Sequence, residues 1–283
     1  MDSESDMPSV WAATGSHARS RAPEPALGTR QAMSRVPGKI TGYFWIVKVL
    51  TTALGESTSD YLVHTISPYI AVGLGGIGLV AALILQFSAR RYVAWIYWLA
   101  IVMVAVAGTM AADVMHIEFG IPYLVSSALF TVVLAVVFAV WYASEKTLSI
   151  HSIYNSRREL FYWAAVLTAF ALGTATGDLT AITMHLGYFS AGVMFAAVIA
   201  VPALAWWRFR MNAIFAFWFA YIVTRPLGAS LADWTGKPRS AGGIALGDGP
   251  VSLCLTILIV GFVGYLAVTR MDIAGEPAAS PAQ

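Results

Sequence analysis

Seven ionisable side chains lie inside long apolar stretches of this sequence, where charged groups are rare. They are Lys48, Glu56, Asp60, Asp113, Asp178, Arg225 and Asp233. A charge at the centre of a lipid bilayer costs about 3 kcal/mol or more, so each of these groups is a candidate functional residue that needs a partner. Because five are acids and two are bases, bound cations or protons could neutralise the excess negative charge. We therefore predict a cation or proton site, with Lys48 and Arg225 as counter-ions.

Four of these acids recur at one fixed spacing. A tryptophan is followed after ten residues by a glycine, and after five more by an aspartate, in four sets: Trp45, Gly55, Asp60; Trp98, Gly108, Asp113; Trp163, Gly173, Asp178; and Trp218, Gly228, Asp233. Such self-similarity indicates an internal repeat. Fifteen residues of helix span about 22 Å. Each tryptophan is therefore expected near the cytoplasmic interface, and each aspartate in the outer third of the bilayer core.

If the four aspartate-bearing helices face a common axis, their carboxylates form an acidic ring of the kind that cation channels and transporters use. The alternative is that the aspartates cap helix ends or pair with bases, as structural contacts only. We interpret the four glycines as close-packing positions between helices. The four tryptophans are interpreted as interfacial and packing anchors.

Further polar groups surround the aspartates. They are Thr109 and Thr174, at the position that Glu56 holds in the first repeat, and His64, His116 and His185, which follow three of the aspartates. Carboxylate together with imidazole favours Mn, Fe, Co or Zn over Na or K. The same groups could instead form a proton relay, and the histidines could simply lie in the outer loops.

The two bases differ in their expected roles. Arg225 lies one turn before Ala229, which replaces Glu56 in the fourth repeat. We interpret Arg225 as the counter-ion of an empty site, with which a bound cation would compete. Lys48 lies one turn after Trp45, so its side chain could instead extend to the cytoplasmic interface.

The composition requires membrane-spanning elements to position these residues. The 283 residues are 58% hydrophobic and 11% charged, with a mean hydropathy of +0.71, whereas ordinary globular chains carry about 25% charged residues. Eight apolar spans are predicted, at about residues 40–63, 68–88, 93–115, 121–143, 161–184, 187–207, 212–235 and 250–269. The predicted fold class is an all-α polytopic membrane protein. A single cysteine excludes an internal disulfide. The sequence has no basic surface of the kind that binds nucleic acid.

The chain divides into tails, repeats and one loop. The predicted segments are a disordered tail 1–38, repeat 39–90, repeat 91–145, a cytoplasmic loop 146–159, repeat 160–210, repeat 211–270 and a tail 271–283. Two spans per repeat give all four helical hairpins the same orientation, which predicts a pseudo-four-fold or two-by-two arrangement. Lysine and arginine concentrate on one side of the spans, so both termini are expected in the cytoplasm.

Three longer stretches carry a family resemblance beyond this spacing: residues 145–153 (EKTLSIHSI), 157–163 (RRELFYW) and 173–178 (GTATGD). Together with the repeat they resemble bacterial membrane proteins that carry four tandem copies of a repeat of unknown function, each with two transmembrane segments and a tryptophan. The resemblance covers about residues 40–270. It implies the fold and a bacterial inner membrane, and it implies no activity.

The sequence therefore predicts an inner-membrane transporter or channel for a small cation, with a divalent metal ion favoured. The alternative is an ion or pH sensor that acts through its cytoplasmic loops. We predict no enzyme, because neither Gly-x-Ser-x-Gly nor His-Glu-x-x-His occurs; an intramembrane metal hydrolase using Asp113, His116 and His185 is the minor alternative. The expected partners are the lipid bilayer, the cation and a second copy of the chain.

Overall fold

The computed structural model describes residues 34–209 and 211–273, and within these ranges it contains helices and no strands. The eight long helices are α1 (Gly42–Thr65), α2 (Pro68–Ser88), α3 (Ala94–Ile117), α4 (Tyr123–Glu145), α5 (Ser156–Asp178), α6 (Tyr188–Phe209), α7 (Ala213–Gly236) and α8 (Asp248–Thr269). Helix α5 continues into a π-helical segment, Leu179–Thr183, and short 3₁₀ turns cover Ile150–Ser152 and Arg239–Ala241.

When the π-helical segment is counted with α5, the helix ends lie within two residues of the predicted ends, except at the start of α5. Helix α5 begins at Ser156, five residues before the predicted span, because the Asn155 side chain accepts a hydrogen bond from the Arg158 backbone N–H at 2.8 Å. Such an N-cap satisfies a backbone donor that would otherwise lack a partner. Part of the predicted cytoplasmic loop is therefore helical.

Six of the described helices are long and apolar enough to cross a membrane: α2, α3, α4, α5 with its π-helical segment, α7 and α8. The apolar part of α6 is shorter, Tyr188–Pro202. Helix α1 carries Lys48, Glu56 and Asp60, all of them buried inside the bundle. Large apolar side chains such as Ile77 and Val260 are exposed on the outside. Exposed apolar surface of this kind indicates a multi-pass membrane protein.

Helices α1, α3, α5 and α7, called the inner helices below, contact one another in cyclic order, and α7 closes the ring against α1. The four glycines lie at these contacts. A methyl group on any of them would collide with the next inner helix, in the pairs Gly55 with Ala105, Gly108 with Phe170, Gly173 with Arg225, and Gly228 with Thr52. Each partner lies three residues before the next glycine of the ring. The absent side chains thus let neighbouring backbones approach closely.

The outer helices α2, α4, α6 and α8 do not pack chiefly against the inner helix of their own repeat. Helix α2 packs on α3, α4 on α5, and α6 on α7, while α8 returns to pack on α1. Each outer helix therefore follows the inner helix of its own repeat in the chain but packs mainly on the inner helix of the next repeat. Because α7 and α8 both contact α1, the ring of inner helices closes within a single chain.

At their amino-terminal ends the inner helices meet in an aromatic collar, formed by Phe44, Trp45, Tyr97, Trp98, Tyr162, Trp163, Phe217 and Trp218. The first ring of each pair contacts the tryptophan of the next repeat, with centroid distances of 5.4, 5.9, 6.0 and 5.8 Å around the ring. Trp98, Trp163 and Trp218 are buried. Each packs on aromatic partners inside the bundle, which fits the interpretation as packing anchors, and their depth relative to a membrane interface stays a prediction.

Two segments predicted as tails are partly ordered against the collar end. The backbone N–H groups of Gly38 and Lys39 both donate to the carbonyl of Asp272 at 3.0 Å. The hydroxyl of Tyr92 donates to the Asp272 carboxylate at 2.5 Å, and Arg35 forms an ion pair with buried Glu159 at 2.7 Å. The tail predictions are thus wrong for residues 34–38 and 271–272. Residues 1–33 and 274–283 lie outside the described part of the chain.

Candidate functional site

A cavity of about 340 Å³ lies at the end of the ring opposite the aromatic collar. All four repeat aspartates line it, together with Glu56: the set is Glu56, Asp60, Asp113, Asp178 and Asp233. Four helices that meet at their tryptophans and again at their aspartates must run parallel. Equal spacing along parallel helices brings the carboxylates to similar depth. The cavity, here called the acidic cavity, is therefore built by the repeat itself.

Three of these acids are particularly close together. One carboxylate oxygen from each of Glu56, Asp60 and Asp233 lies within 4.8 Å of the other two, and all three side chains are buried. Oxygen atoms at this separation could hold a divalent cation, since hard cations take carboxylate ligands. These three residues are called the acidic triad below.

Arg225 lies on the axis between the acidic cavity and the aromatic collar. Its Nη2 donates to Glu56 Oε2 at 2.7 Å, to Thr174 Oγ1 at 2.7 Å and to the hydroxyl of Thr109. Its Nη1 donates to the backbone carbonyl of Thr52 at 3.3 Å. The guanidinium thus joins the three polar residues that directly follow the repeat glycines, and it is fully buried. The ring therefore holds a basic layer directly beneath its acidic layer.

Lys237 is a member of the site that the sequence analysis missed. Its Nζ lies 2.5 Å from Asp60 Oδ2 and 3.9 Å from Asp233 Oδ1. Burial lowers the pKa of Lys237, but the carboxylates of Asp60 and Asp233 outweigh that effect and hold the pKa above its ordinary value. The ammonium is therefore charged at neutral pH. Its position four residues after Asp233, on a side nearly free of bases, was the available signal.

Asp113 and Asp178 form the other half of the acidic cavity. Both are half-buried. Among the described residues, neither makes a hydrogen bond or an ion pair, whereas Glu56 pairs with Arg225, and Asp60 and Asp233 contact Lys237. These two carboxylates are therefore open to the cavity and free to bind a ligand.

Lys48 does not extend to the interface, so that prediction is wrong. The side chain is fully buried, with Nζ 3.8 Å from the ring centroid of Phe170 and 3.9 Å from that of Tyr221. Its Nζ has no hydrogen-bond partner in the described part of the chain. Lys48 points to the axis between the collar and Arg225, where aromatic faces rather than a carboxylate surround the amine. It is therefore not a counter-ion of the acidic cavity.

The three histidines have different positions. His64 lines the mouth of the acidic cavity, with Nδ1 2.7 Å from the Asp60 carbonyl oxygen. His116 stacks on Tyr123 at 3.8 Å, and its Nδ1 lies 3.0 Å from the Ile121 carbonyl oxygen. His185 is exposed in the turn before α6.

Neither His116 nor His185 lines the cavity. The expected ligation by these two histidines does not fit this geometry, and Asp113, His116 and His185 are not brought together as a hydrolase would need. Two tyrosines do line the cavity, Tyr123 and Tyr188, at the starts of α4 and α6.

Comparison with known families agrees with the repeat seen in the sequence. The family model Repeat of Unknown Function (DUF347) matches four times, at residues 43–92, 96–147, 161–212 and 216–272. Each match contains one inner helix followed by one outer helix. No match to a curated protein or to a solved structure accompanies this result.

Proposed function

We propose that this chain, which belongs to the Repeat of Unknown Function (DUF347) family, transports a small cation across a membrane. The observation that carries the proposal is the acidic cavity, which six carboxylates line, those of the four aspartates, Glu56 and Glu118. Among the described residues, the permanent cations in contact with these acids are Lys237 and Arg225, and His64 is the imidazole of the lining. Because Asp113 and Asp178 lack a basic partner among the described residues, the cavity has negative charge available for a ligand.

The proposed ligand is a divalent metal ion bound by oxygen atoms. With His116 and His185 outside the cavity and His64 as the imidazole among the described lining residues, most donors are carboxylates, which suit Mn²⁺, Mg²⁺ or Ca²⁺. A cavity of about 340 Å³ also has room for an ion that keeps several of its waters, each of which takes about 30 Å³ in the liquid.

All eight helices cross the membrane in this proposal, as four parallel repeats in a pseudo-four-fold ring. Helix α1 can cross despite its charges because Lys48, Glu56 and Asp60 are buried among the other inner helices. The connections at the collar end carry Arg90, Arg91 and the arginines around residue 157. We therefore propose that this end lies on the cytoplasmic side of a bacterial inner membrane. The acidic cavity then faces the opposite side.

The closed axis favours a transporter over an open channel. Between the acidic cavity and the collar end, an ion would have to pass Arg225, buried Lys48 and eight packed rings. A second function, an ion sensor, is supported by the loop beneath the collar. Trp218 Nε1 donates to the Leu148 carbonyl at 2.9 Å, and Ile150 is buried, so this loop could respond to a change in the ring.

The test is ion uptake into liposomes that contain the purified protein, with Mn²⁺, Mg²⁺ and Ca²⁺ as the transported ions. We expect uptake of at least one ion, and a loss of about tenfold or more for Asp113→Asn and for Asp178→Asn, since each removes a ligand charge. Glu145→Gln is the control for the loss of one acidic charge, because Glu145 ends α4 at the collar end and does not line the cavity.

Thermal stabilisation by the same ions separates the two functions. Ion-specific stabilisation without uptake would identify a sensor and overturn the transporter. Normal uptake by both asparagine variants would show that the acidic cavity is not the site. If the wild type neither binds nor moves any of the ions, the proposal is wrong.

A further inference from the structure

The acidic triad is in contact with a cation that belongs to the chain itself. The ammonium of Lys237 lies 2.5 Å from Asp60 Oδ2 and 3.9 Å from Asp233 Oδ1. A divalent metal ion held by the triad would need oxygen atoms at about 2.0–2.6 Å. The ion and the ammonium would then lie against the same two carboxylates, those of Asp60 and Asp233, and repel each other, so they cannot both be bound there.

Lys237 is the base that can leave. Its side chain is 22% exposed, whereas that of Arg225 is 1% exposed. Arg225 lies in the middle of α7, fixed by several hydrogen bonds. Lys237 directly follows the last residue of α7, and its four-carbon stem is flexible. The ammonium can therefore move out into water without any change in the helices.

The corresponding positions in the other repeats show that this contact is particular to the fourth. Four residues after each aspartate, the side chains that line the mouth of the cavity are His64, Ile117, Ile182 and Lys237. Only the last is a permanent cation. The half of the cavity formed by Asp113 and Asp178 is thus open, while the half formed by Asp60 and Asp233 is covered by an ammonium.

We propose that Lys237 is a tethered cation that competes with the transported ion for the acidic triad and thereby sets the affinity of the site. This inference rests on the proposed function. Binding at the triad requires the ammonium to swing out, and return of the ammonium assists release of the ion. If the ammonium of Lys237 contacts the triad in about nine molecules out of ten, it weakens the apparent affinity of the triad for the ion about tenfold.

The experiment replaces and then restores the ammonium in the full-length protein. The single cysteine, Cys254, is exposed, so Cys254→Ala provides a background without a reactive thiol. Lys237→Cys in that background is examined in three states: unmodified, modified with an aminoethyl thiosulfonate that adds an ethylammonium, and modified with a methyl thiosulfonate of no charge. Lys237→Arg is a further variant that keeps the charge.

The measurement is the concentration of Mn²⁺, Mg²⁺ or Ca²⁺ that gives half of the maximal thermal stabilisation. We expect unmodified Lys237→Cys to need about tenfold less of the bound ion than the Cys254→Ala background. Aminoethylation should restore the background value, as should Lys237→Arg, while methylthiolation should leave the tighter binding unchanged. Comparing the two modified forms removes effects of folding, because both carry the same substitution and a disulfide.

Equal half-saturation in the background and in Lys237→Cys would overturn the inference, and so would identical behaviour of the two modified forms. In either case ion binding by the protein would still be established. If no ion stabilises the background or any variant, the proposed function itself fails.

Discussion

Replacement of Arg225 tests how much the buried ion pair at the axis of the ring contributes to the stability of the protein. The ion pair between Arg225 Nη2 and Glu56 Oε2, at 2.7 Å, is almost completely buried, with 1% and 5% of the two side chains exposed. Arg225→Met keeps an unbranched apolar stem and leaves Glu56 as a buried charge without its partner. Breaking a buried pair in this way costs about 3–5 kcal/mol.

The second substitution, Glu56→Gln, removes the unpaired charge. Replacing both members of a buried pair by uncharged groups is often close to neutral, so the double variant should recover most of the loss. Glu56→Gln alone leaves the guanidinium with Thr174, Thr109 and the Thr52 carbonyl, and should therefore cost less than Arg225→Met. We expect a coupling energy of about 2–3 kcal/mol between the two positions.

The assay is reversible unfolding of the purified protein in mixed detergent micelles, with the four members of the cycle measured side by side. Arg91→Met is the matched control, since Arg91 is exposed in the connection between α2 and α3 and its removal should change stability by no more than about 0.5 kcal/mol. Equal stability of Arg225→Met and Arg91→Met would show that the Arg225–Glu56 pair does not stabilise the ring. A double variant no more stable than Arg225→Met would show the same.

Two further predictions use the same unfolding assay. Gly55→Ala should destabilise the protein by about 1–3 kcal/mol, because the new methyl group would lie 2.8 Å from the backbone carbonyl carbon of Ala105. The control, Gly73→Ala, should be neutral or stabilising, since nothing lies within 4 Å of the added methyl group. Equal effects of the two substitutions would contradict the close contact of α1 with α3. Lys48→Met should raise the free energy of unfolding by about 1 kcal/mol, since it removes a buried amine that has no hydrogen-bond partner among the described residues. A clear decrease in the free energy of unfolding would show that the amine makes a stabilising interaction.

The helix ends and the meeting of the four aspartates could be predicted from the sequence. Apolar runs of membrane-spanning length fix the helices, and polar caps such as Asn212, which accepts from Ile214 N–H at 2.9 Å, fix their starts. Asp60 and Asp113 reach one cavity because each lies fifteen residues after a collar tryptophan, on helices that run in the same direction. Spacing alone carries that information.

The neighbours of each outer helix could not be predicted. Only residues 66–67 connect α1 to α2, and that short connection is compatible with packing on either side of the ring. The burial of Lys48 was equally hard to predict. Lys48 shares one helix face with Thr52 and Glu56, which predicts that it points inward, but its position one turn after Trp45 also allowed its long side chain to reach the interface. The path of the chain after α7 decides where Lys237 lies. There Ile244 N–H donates to the Trp234 carbonyl at 2.8 Å, and Ala245 N–H donates to the Lys237 carbonyl at 3.0 Å.

The differences between the repeats divide the acidic cavity into two halves of different charge. Both bases, Arg225 and Lys237, come from the fourth repeat, and the additional acid, Glu56, comes from the first. Because α7 closes the ring against α1, the two bases pair with Glu56, Asp60 and Asp233 and offset most of the negative charge of these three acids. Asp113 and Asp178 remain opposite them without ion pairs in the described structure. An incoming cation would therefore meet the second and third repeats first, and would reach the acidic triad only by displacing a charge that the protein itself supplies.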